Sequence, residues 1–438
     1  MKVALLSDAH EYQPAIDSLN VYIKDAPDDE IAYYFLGKIY SVLQKKEKSI
    51  AAYRTAIRLR PQFVTASKAL GLEYELDGQN AKAIEIYQQA LVYGGNDIEV
   101  RQKLANLYLT EQNYKMALRQ FDALNMMNPE DTQTVFRTAL LYLKLDHYKK
   151  AEKLFKHLLK GGDIAQDRIN FYLGALYEEE NNFGAALSAF LKLAPDSTYY
   201  VDAQLQAAYI SSNKLNNDKK AASILTKAAG LEPTSQKLYL ALAVQYEQMN
   251  KMADAIRILN TANRAIPNNP KILFVLGIFL DKAGDEDAGI QMMKQVLKIN
   301  PNDAHAMNHI GYIYAKRKIH LNEAESLLLK AIQLEPNNPY IIDSLGWLYY
   351  QKAAYHKAEK FLQRAIKRQP DEPEILEHLA DVYRKLGLYQ KALQEYRRVV
   401  ATTKKEETKV ENPDTKEIQE RNKRIQHKIA SLVSDKTF

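Results

Sequence analysis

Residues 267–301 read PNNPKILFVLGIFLDKAGDEDAGIQMMKQVLKINP, and this stretch holds one complete unit of a pattern that recurs along the chain. Prolines at Pro233, Pro267, Pro301, Pro336 and Pro370 mark the same point of successive units, with spacings of 34, 34, 35 and 34 residues. A fixed period of this size is typical of proteins built by stacking one supersecondary unit. The sequence therefore predicts a repeat protein rather than two or three globular domains.

Within each unit, small and aromatic residues return at fixed places. Gly346 at the eighth place is followed three residues later by Tyr349, and nine further on by Ala358. Spacings of three and four place side chains on one face of a helix, and the small residues let two antiparallel helices approach closely. A proline ends the second helix because its ring clashes with the preceding turn and it has no N–H to donate. Each unit is thus predicted to be a helix–turn–helix hairpin.

Two units are longer than the others, and the C-terminal end has a different pattern. Extra residues fall around 213–218 and near Ile319, in both cases between the two predicted helices of a unit, where insertions map to a loop. Apolar residues near the C-terminus recur at spacings of seven, four and three, which favours an amphipathic helix; they are Ile418, Ile425, Ile429 and Leu432. That helix either caps the last hairpin or docks onto a partner.

The 34-residue pattern resembles the tetratricopeptide repeat, and the resemblance covers roughly residues 1–400. It implies an all-α, right-handed superhelical solenoid of about 12 helix-turn-helix repeats plus a C-terminal helix. The predicted division is a truncated first repeat at 1–29, an N-terminal array at 30–235, a C-terminal array at 236–401, a linker at 402–413 and a capping helix at 414–434. Counting back from Ala15 places Met1 inside a helix, so we expect upstream residues to be missing.

The chemistry of the chain favours binding over catalysis. There is no cysteine, and no nucleophile-elbow, phosphate-loop, dinucleotide or zinc-protease motif occurs. His305 and His309 are four apart, but no third ligand is evident, so we expect neither a metal nor a cofactor. The repeats occupy about 400 residues, which leaves an enzyme possible only if missing upstream residues encode a catalytic domain. We predict that the chain itself is not an enzyme.

The net charge of +6 is concentrated at the C-terminal end, with +4 in residues 351–400 and +2 in residues 401–438. This basic end either favours an acidic partner or membrane surface, or is a solvated cap. Acidic residues interleave with the basic ones throughout, so we expect no nucleic-acid binding.

The resemblance implies a groove lined by the first helix of each repeat, where the second, fifth, ninth and twelfth places point inward. In the second half these places are rich in aromatic and hydrogen-bonding groups, and they also include Asp281, His305 and Glu377. The predicted partner-binding residues are Lys271, Phe274, Asn308, Tyr312, Tyr340, Asp343, Trp347, Tyr350, Asp381 and Arg384. Trp347, the single tryptophan, either anchors a partner or packs between neighbouring hairpins.

One segment resembles a narrower group. The runs N-x-x-G-Y at 308–312, D-S-L-G-W at 343–347 and H-L at 378–379 are similar to bacterial envelope tetratricopeptide lipoproteins. A member of that group is an outer-membrane adaptor of a periplasmic C-terminal processing protease, to which it delivers peptidoglycan hydrolases. The resemblance implies protein partners of that kind and a periplasmic location, with membrane attachment only through a lipid anchor missing from this chain. A scaffold for a pilus, secretion or other envelope machine is the alternative function, and the cytoplasm the alternative location.

Overall fold

The computed structural model describes residues 11–94, 96–161, 164–409 and 415–434. These residues form α-helices and one π-helix, with no β-strand among them. The expectation that the chain starts inside a helix falls on residues 1–10 and lies outside the described part. The chain divides into two compact units between Ile210 and Ser211.

The first unit contains a leading helix, five hairpins and one further helix. Its helices are α1 Tyr12–Asp25, α2 Glu30–Val42, α3 Lys46–Leu59, α4 Val64–Leu76, α5 Asn80–Gly94, α6 Ile98–Thr110, α7 Tyr114–Met127, α8 Thr132–Lys144, α9 Tyr148–Gly161, α10 Gln166–Glu179, α11 Phe183–Phe190 and α12 Tyr200–Tyr209. The hairpins pair α2 with α3 and so on to α10 with α11.

The second unit contains five more hairpins and ends in a long helix. A π-helix, Ile210–Lys214, crosses the boundary, and the helices that follow are α13 Asp218–Leu231, α14 Gln236–Gln248, α15 Met252–Ala265, α16 Pro270–Lys282, α17 Glu286–Ile299, α18 Ala304–Arg317, α19 Leu321–Leu334, α20 Pro339–Gln351, α21 Tyr355–Arg368, α22 Pro373–Lys385, α23 Tyr389–Lys409 and α24 Thr415–Ser434. The hairpins pair α14 with α15 and so on to α22 with α23.

Local signals in the sequence set where the helices begin and end. At the start of α20 the side chain of Asn338 accepts hydrogen bonds from the backbone N–H groups of Tyr340 and Ile341, and Pro339 occupies the first turn. Both features satisfy or remove donors that a helix start leaves unpaired. Two residues after α19 ends at Leu334, Pro336 follows, as the repeat pattern predicted.

The two helices of a hairpin cross closely at the small residues. A Cβ atom added to Gly346 would lie 2.5 Å from Cγ of Leu362, and one added to Gly71 would lie 2.3 Å from Cε1 of Tyr87. Both facing side chains are buried, so the crossing leaves no room for a methyl group. The predicted role of the eighth-place glycine is therefore confirmed.

Both predicted insertions lie between helices. Around residue 213 the extra residues form the π-helix, after which Asn217 caps the start of α13. Near Ile319 the extra residue is accommodated by two left-handed backbone conformations, at Lys318 with φ 57° and at His320 with φ 47°.

The predicted borders differ from the structure in two places. The boundary between arrays was expected at 235/236, whereas the compact units divide at 210/211, beside the π-helix. The predicted linker over 402–413 is helical as far as Lys409. Lysine and glutamate are good helix formers, and no proline or glycine occurs between residues 402 and 409, so the polar composition did not end the helix.

The apolar core of the second unit continues into the C-terminal helix. One cluster of buried side chains runs from Leu273 on α16 through Leu345 on α20 to Ile425 and Leu432 on α24. The hydroxyl of Thr403 on α23 also donates a hydrogen bond of 2.7 Å to Oδ1 of Asn422 on α24. The C-terminal helix therefore packs on the last hairpin, as a capping helix does.

Candidate functional site

The first helices of the last three hairpins and α24 enclose a cavity in the second unit. Its volume is about 520 Å³. The lining residues are Tyr312 and Lys316 from α18, Trp347 from α20, Glu374, Glu377, His378 and Asp381 from α22, and Glu420, Arg421, Arg424 and Lys428 from α24. We refer to it as the inner cavity. Since successive first helices stand side by side, the repeat register alone places their ninth-position residues Tyr312, Trp347 and Asp381 around it.

Trp347 is the centre of an aromatic stack in this cavity. Its ring stacks on Tyr350 at a centroid distance of 4.7 Å and on His378 of the next hairpin at 4.1 Å. The indole remains partly exposed and lines the cavity. Trp347 thus packs between neighbouring hairpins, which was one of its two predicted roles. It also presents apolar surface to the cavity, as the other predicted role, anchoring a partner, requires. The stack holds the ring in one orientation before any partner arrives.

Asp343 lies beneath the stack rather than in the open groove. Nδ1 of His378 lies 2.9 and 3.0 Å from the two carboxylate oxygens of Asp343, and both side chains are buried. Burial alone would lower the pKa of His378, but the charge and hydrogen bond of Asp343 outweigh it and raise that pKa. The expectation that Asp343 contacts a partner assumed a free inward position. In the structure Asp343 instead contacts His378 and thereby orients its ring against Trp347.

A second carboxylate group is neutralised by the C-terminal helix. Arg424 donates two hydrogen bonds, of 2.9 and 2.7 Å, to the two oxygens of Glu377. Lys428 donates to Glu377 at 2.8 Å and to Asp381 at 2.7 Å, while the hydroxyl of Tyr396 donates to Asp381. Burial would raise the pKa of Glu377, but Arg424 and Lys428 lower it to about 2. Asp381 therefore lines the inner cavity as a buried residue paired with Lys428 and Tyr396, whereas the sequence analysis treated it as an open groove position.

The remaining predicted residues occupy different surroundings. Phe274 and Lys271 line a second cavity of about 600 Å³ with Pro270 and His305, whose ring meets Phe274 edge to face. The hydroxyl of Tyr312 donates to Glu374 across the inner cavity. We find Tyr340 and Arg384 exposed outside both cavities.

Asn308 has a buried side-chain oxygen that accepts no hydrogen bond. That the ten predicted residues bind a partner stays a prediction.

Sequence reasoning missed the basic wall of the inner cavity. Arg424 and Lys428 are four residues apart and flank the apolar residue Ile425. This spacing places both cations on one side of the predicted stripe, and it was the available signal. Their acidic partners could not be named from the sequence because the packing of α24 was unknown.

The described residues contain no group of three or more side chains suited to a metal ion. Of the two histidines considered as ligands, Nε2 of His305 lies 3.4 Å from Glu335. Nε2 of His309 is buried without a hydrogen-bond partner, and burial lowers its pKa. Over the same residues, none of the helices is both long and apolar enough to span a membrane.

Comparisons with known proteins identify the repeats. Sequence models described as tetratricopeptide repeat match residues 31–63, 219–273, 270–303, 304–338 and 344–406. The TPR repeat-containing protein PA4667 of Pseudomonas aeruginosa is 28% identical over 188 residues, which cover 43% of this chain and 32% of that protein. The human protein O-mannosyl-transferase TMTC3 is 25% identical over 299 residues, 61% of this chain and 31% of that protein.

Among solved structures, the Naa15/Naa10 complex bound to HypK-THB is similar to the chain with a TM-score of 0.53 at 15% identity. The match covers 90% of this chain and 66% of that one. At this identity the likeness concerns the fold alone. The matches to the two curated relatives span only about a third of their lengths, so their activities are not transferred. The chain is therefore an all-α protein of stacked helical hairpins, and residues 31–63, 219–338 and 344–406 match models of the tetratricopeptide repeat.

Proposed function

We propose that the chain is a protein-interaction scaffold or adaptor and that partner polypeptides bind on the inner face of its second unit. The observation that carries this proposal is the Trp347 stack: a large aromatic ring, fixed on both sides, with apolar surface open to a cavity. Buried or half-buried tryptophan, tyrosine and arginine side chains dominate the energetics of protein interfaces. An aromatic anchor held in place also loses little conformational entropy on binding. Tetratricopeptide proteins generally act as such scaffolds.

The surroundings of Trp347 favour a partner with both an apolar and a polar part. Tyr312, Glu374 and Lys316 line the same cavity, and they supply hydrogen-bonding groups around the ring. The second cavity contains Phe274, which lies on the first helix two hairpins before that of Trp347, and the rings of Phe274, Pro270 and His305 give it apolar surface. An extended or helical segment can place one apolar side chain in each cavity, which favours a peptide-like ligand over a small molecule.

We propose further that this scaffold is a periplasmic adaptor that brings substrates, such as peptidoglycan hydrolases, to a C-terminal processing protease. The proposal is supported by the resemblance of residues 308–312, 343–347 and 378–379 to envelope lipoproteins with that role. All three runs contribute directly to the inner cavity, through Tyr312, Trp347 and His378. An outer-membrane anchor in a longer form of the protein belongs to the same proposal.

The experiment compares capture of partners by three forms of the full chain. Wild type, Trp347→Ala and the control Tyr93→Ala are immobilised and exposed to envelope extract, and bound proteins are quantified by mass spectrometry. Tyr93 is a suitable control because it is 56% exposed and lies in the first unit. A hot-spot aromatic contributes about 2 kcal/mol or more, so Trp347→Ala should reduce capture at least roughly 30-fold while Tyr93→Ala does not.

Equal capture by wild type and Trp347→Ala would contradict the proposed binding face. The adaptor proposal predicts in addition that a processing protease is among the partners and that adding the chain accelerates cleavage of its substrate. If a partner depends on Trp347 but no protease is recovered, scaffolding stands and the adaptor role does not.

A further inference from the structure

The C-terminal helix α24 occupies two positions of the predicted groove. Glu377 and Asp381 stand at the fifth and ninth places of the last repeat, which are inward places in the repeat register. In the structure Arg424 and Lys428 of α24 cover both carboxylates, and α24 forms one wall of the inner cavity. The end of the groove is thus filled by a segment of the chain itself.

The two carboxylates form a site that requires a cation. Both side chains are about nine-tenths buried, and they share Lys428 between them. An unpaired buried carboxylate is strongly destabilising, so this surface is stable only when a positive group covers it. Tyr396 donates a hydrogen bond to Asp381 and places its ring 5.7 Å from Nζ of Lys428, which adds an aromatic face for the cation. The site therefore selects its occupant by charge.

Five residues of α24 make the contacts with the last repeat that concern us, and they are regularly spaced. Ile418, Ile425 and Leu432 are buried and spaced by seven residues, so they form one stripe along the helix. Arg424 and Lys428 lie one residue before and three after the central isoleucine. The Arg424 side chain remains 55% exposed although it forms a bidentate pair. Any helix with this arrangement of apolar and basic residues can make the same contacts.

The fit between α24 and the groove is incomplete. A cavity of about 520 Å³ remains between α24 and the first helices of the last three hairpins, with Trp347 and Tyr312 on its opposite side. Several residues at its border, among them Lys316, Glu374 and Arg424, are exposed, so the cavity is open to solvent. A partner that contacts Trp347 within this cavity therefore also contacts α24.

We infer that Glu377 and Asp381 form a docking site for a basic amphipathic helix, which α24 occupies within the chain and which a partner helix of the same pattern takes by displacing it. The inference rests on the proposed function, and it adds the chemical class of the partner. Because the site presents two carboxylates, its occupant must be a helix that carries basic residues four apart beside an apolar stripe. An acidic or purely apolar helix would leave the two carboxylates unpaired.

The test uses a fluorescent synthetic peptide with the sequence of Thr415–Ser434 as the competing helix, and full-length protein throughout. Its binding is measured by fluorescence anisotropy to wild type and to the double variant Arg424→Glu/Lys428→Glu. In that variant the chain's own helix is repelled by the carboxylates, so the peptide should bind at least tenfold more tightly than to wild type. Adding Glu377→Gln and Asp381→Asn should remove this gain, and a peptide carrying the two charge reversals should not bind.

A second measurement applies even if the double variant folds poorly. Excess unlabelled peptide is added to wild-type chain, and hydrogen exchange of α24 is followed; displacement predicts faster exchange in α24, with exchange in α16 unchanged. Equal peptide affinities for wild type and double variant, or unchanged exchange in α24, would overturn the inference and leave α24 as a permanent cap. Concentration-dependent dimers without peptide, detected by light scattering, would also overturn it by assigning the site to a second copy. None of these outcomes changes the effect of Trp347→Ala on partner capture, which tests the proposed function separately.

Discussion

Replacing Gly346 by alanine tests the close helix crossing on which the repeat architecture depends. The added Cβ atom would lie 2.5 Å from Cγ and 2.8 Å from Cδ2 of Leu362. Ordinary carbon contacts begin near 3.5 Å, so either Leu362 or one of the two helices must move by about 1 Å. Leu362 is fully buried, and the atom that the added Cβ approaches most closely is its branch point Cγ rather than the free end of a flexible chain.

The expected cost follows from two opposing effects. Overpacking a well-packed core costs about 1–3 kcal/mol. Alanine is favoured over glycine inside a helix by about 0.5–1 kcal/mol. Since the added atom would lie only 2.5 Å from a buried carbon, we take the upper half of the overpacking range, and the net expectation for Gly346→Ala is a loss of about 1–2.5 kcal/mol in the free energy of unfolding. Gly230 provides the matched control, since it lies in α13 of the same unit and a Cβ atom there would meet no atom within 4 Å. Gly230→Ala should therefore stabilise the chain by about 0.5–1 kcal/mol.

The assay is hydrogen exchange of the amides in α20 and α21, supported by thermal unfolding followed by circular dichroism. Repeat arrays open locally, so exchange near the substitution reports the change more directly than a global midpoint does. Gly346→Ala should accelerate exchange in both helices, whereas Gly230→Ala should slow exchange around α13. If Gly346→Ala protects α20 and α21 as well as wild type, or better, the tight crossing is not what holds the hairpin together.

Two further predictions concern the carboxylates of the second unit. Asp343→Ala leaves the buried His378 ring without its partner and should cost about 3–5 kcal/mol, measured as a lower thermal midpoint; a loss below about 1 kcal/mol would show that the pair is not important to the stack. The pKa of Glu377 is lowered to about 2 from its usual value of 4.5, so its contribution to stability is present above about pH 4.5 and lost as the pH falls through about 2. Wild type should therefore unfold at a higher temperature than Glu377→Gln at pH 7, with the difference closing below pH 4.5; a difference independent of pH would argue against a charged Glu377.

The repeat architecture could be predicted from the sequence because its determinants are local and recur. Gly346, Tyr349 and Ala358 reveal a hairpin by their spacing alone, and the same spacing returns in each unit. The proline after each second helix and the asparagine cap of α20 act on the residues next to them. The residues that determine each hairpin thus lie within that repeat, and their recurrence in many repeats makes the pattern easy to recognise.

The candidate site could be predicted only in part, because its chemistry depends on distant pairs. The register correctly placed Tyr312 and Trp347 beside one cavity. It did not reveal that His378 covers Asp343, or that Lys428 reaches Glu377 from 51 residues further along the chain. The expectation that the second, fifth, ninth and twelfth places point into an open groove assumes that only neighbouring repeats pack on each other. It fails at the last repeat, where α24 packs against the hairpin.

The division of the chain also escaped the sequence pattern. Residues 213–218 were predicted as an insertion, and the border between the arrays was predicted at 235/236, one helix after the point at which the two compact units divide. The inserted residues form a π-helix at the point where the two compact units divide.

Fluorescence of the single tryptophan tests the central claim most directly, because Trp347 is the only residue of its kind in the chain. Acrylamide quenching of Trp347 is measured in the free chain and with a saturating amount of a captured partner. The same measurement with a Trp347→Phe chain, which contains no tryptophan, gives the fluorescence of the partner alone, and this is subtracted. We predict that the quenching constant falls at least about threefold on binding, since the part of the indole that is exposed in the free chain becomes buried in the interface. A quenching constant that stays the same at saturation would show that partners bind elsewhere and would contradict the account.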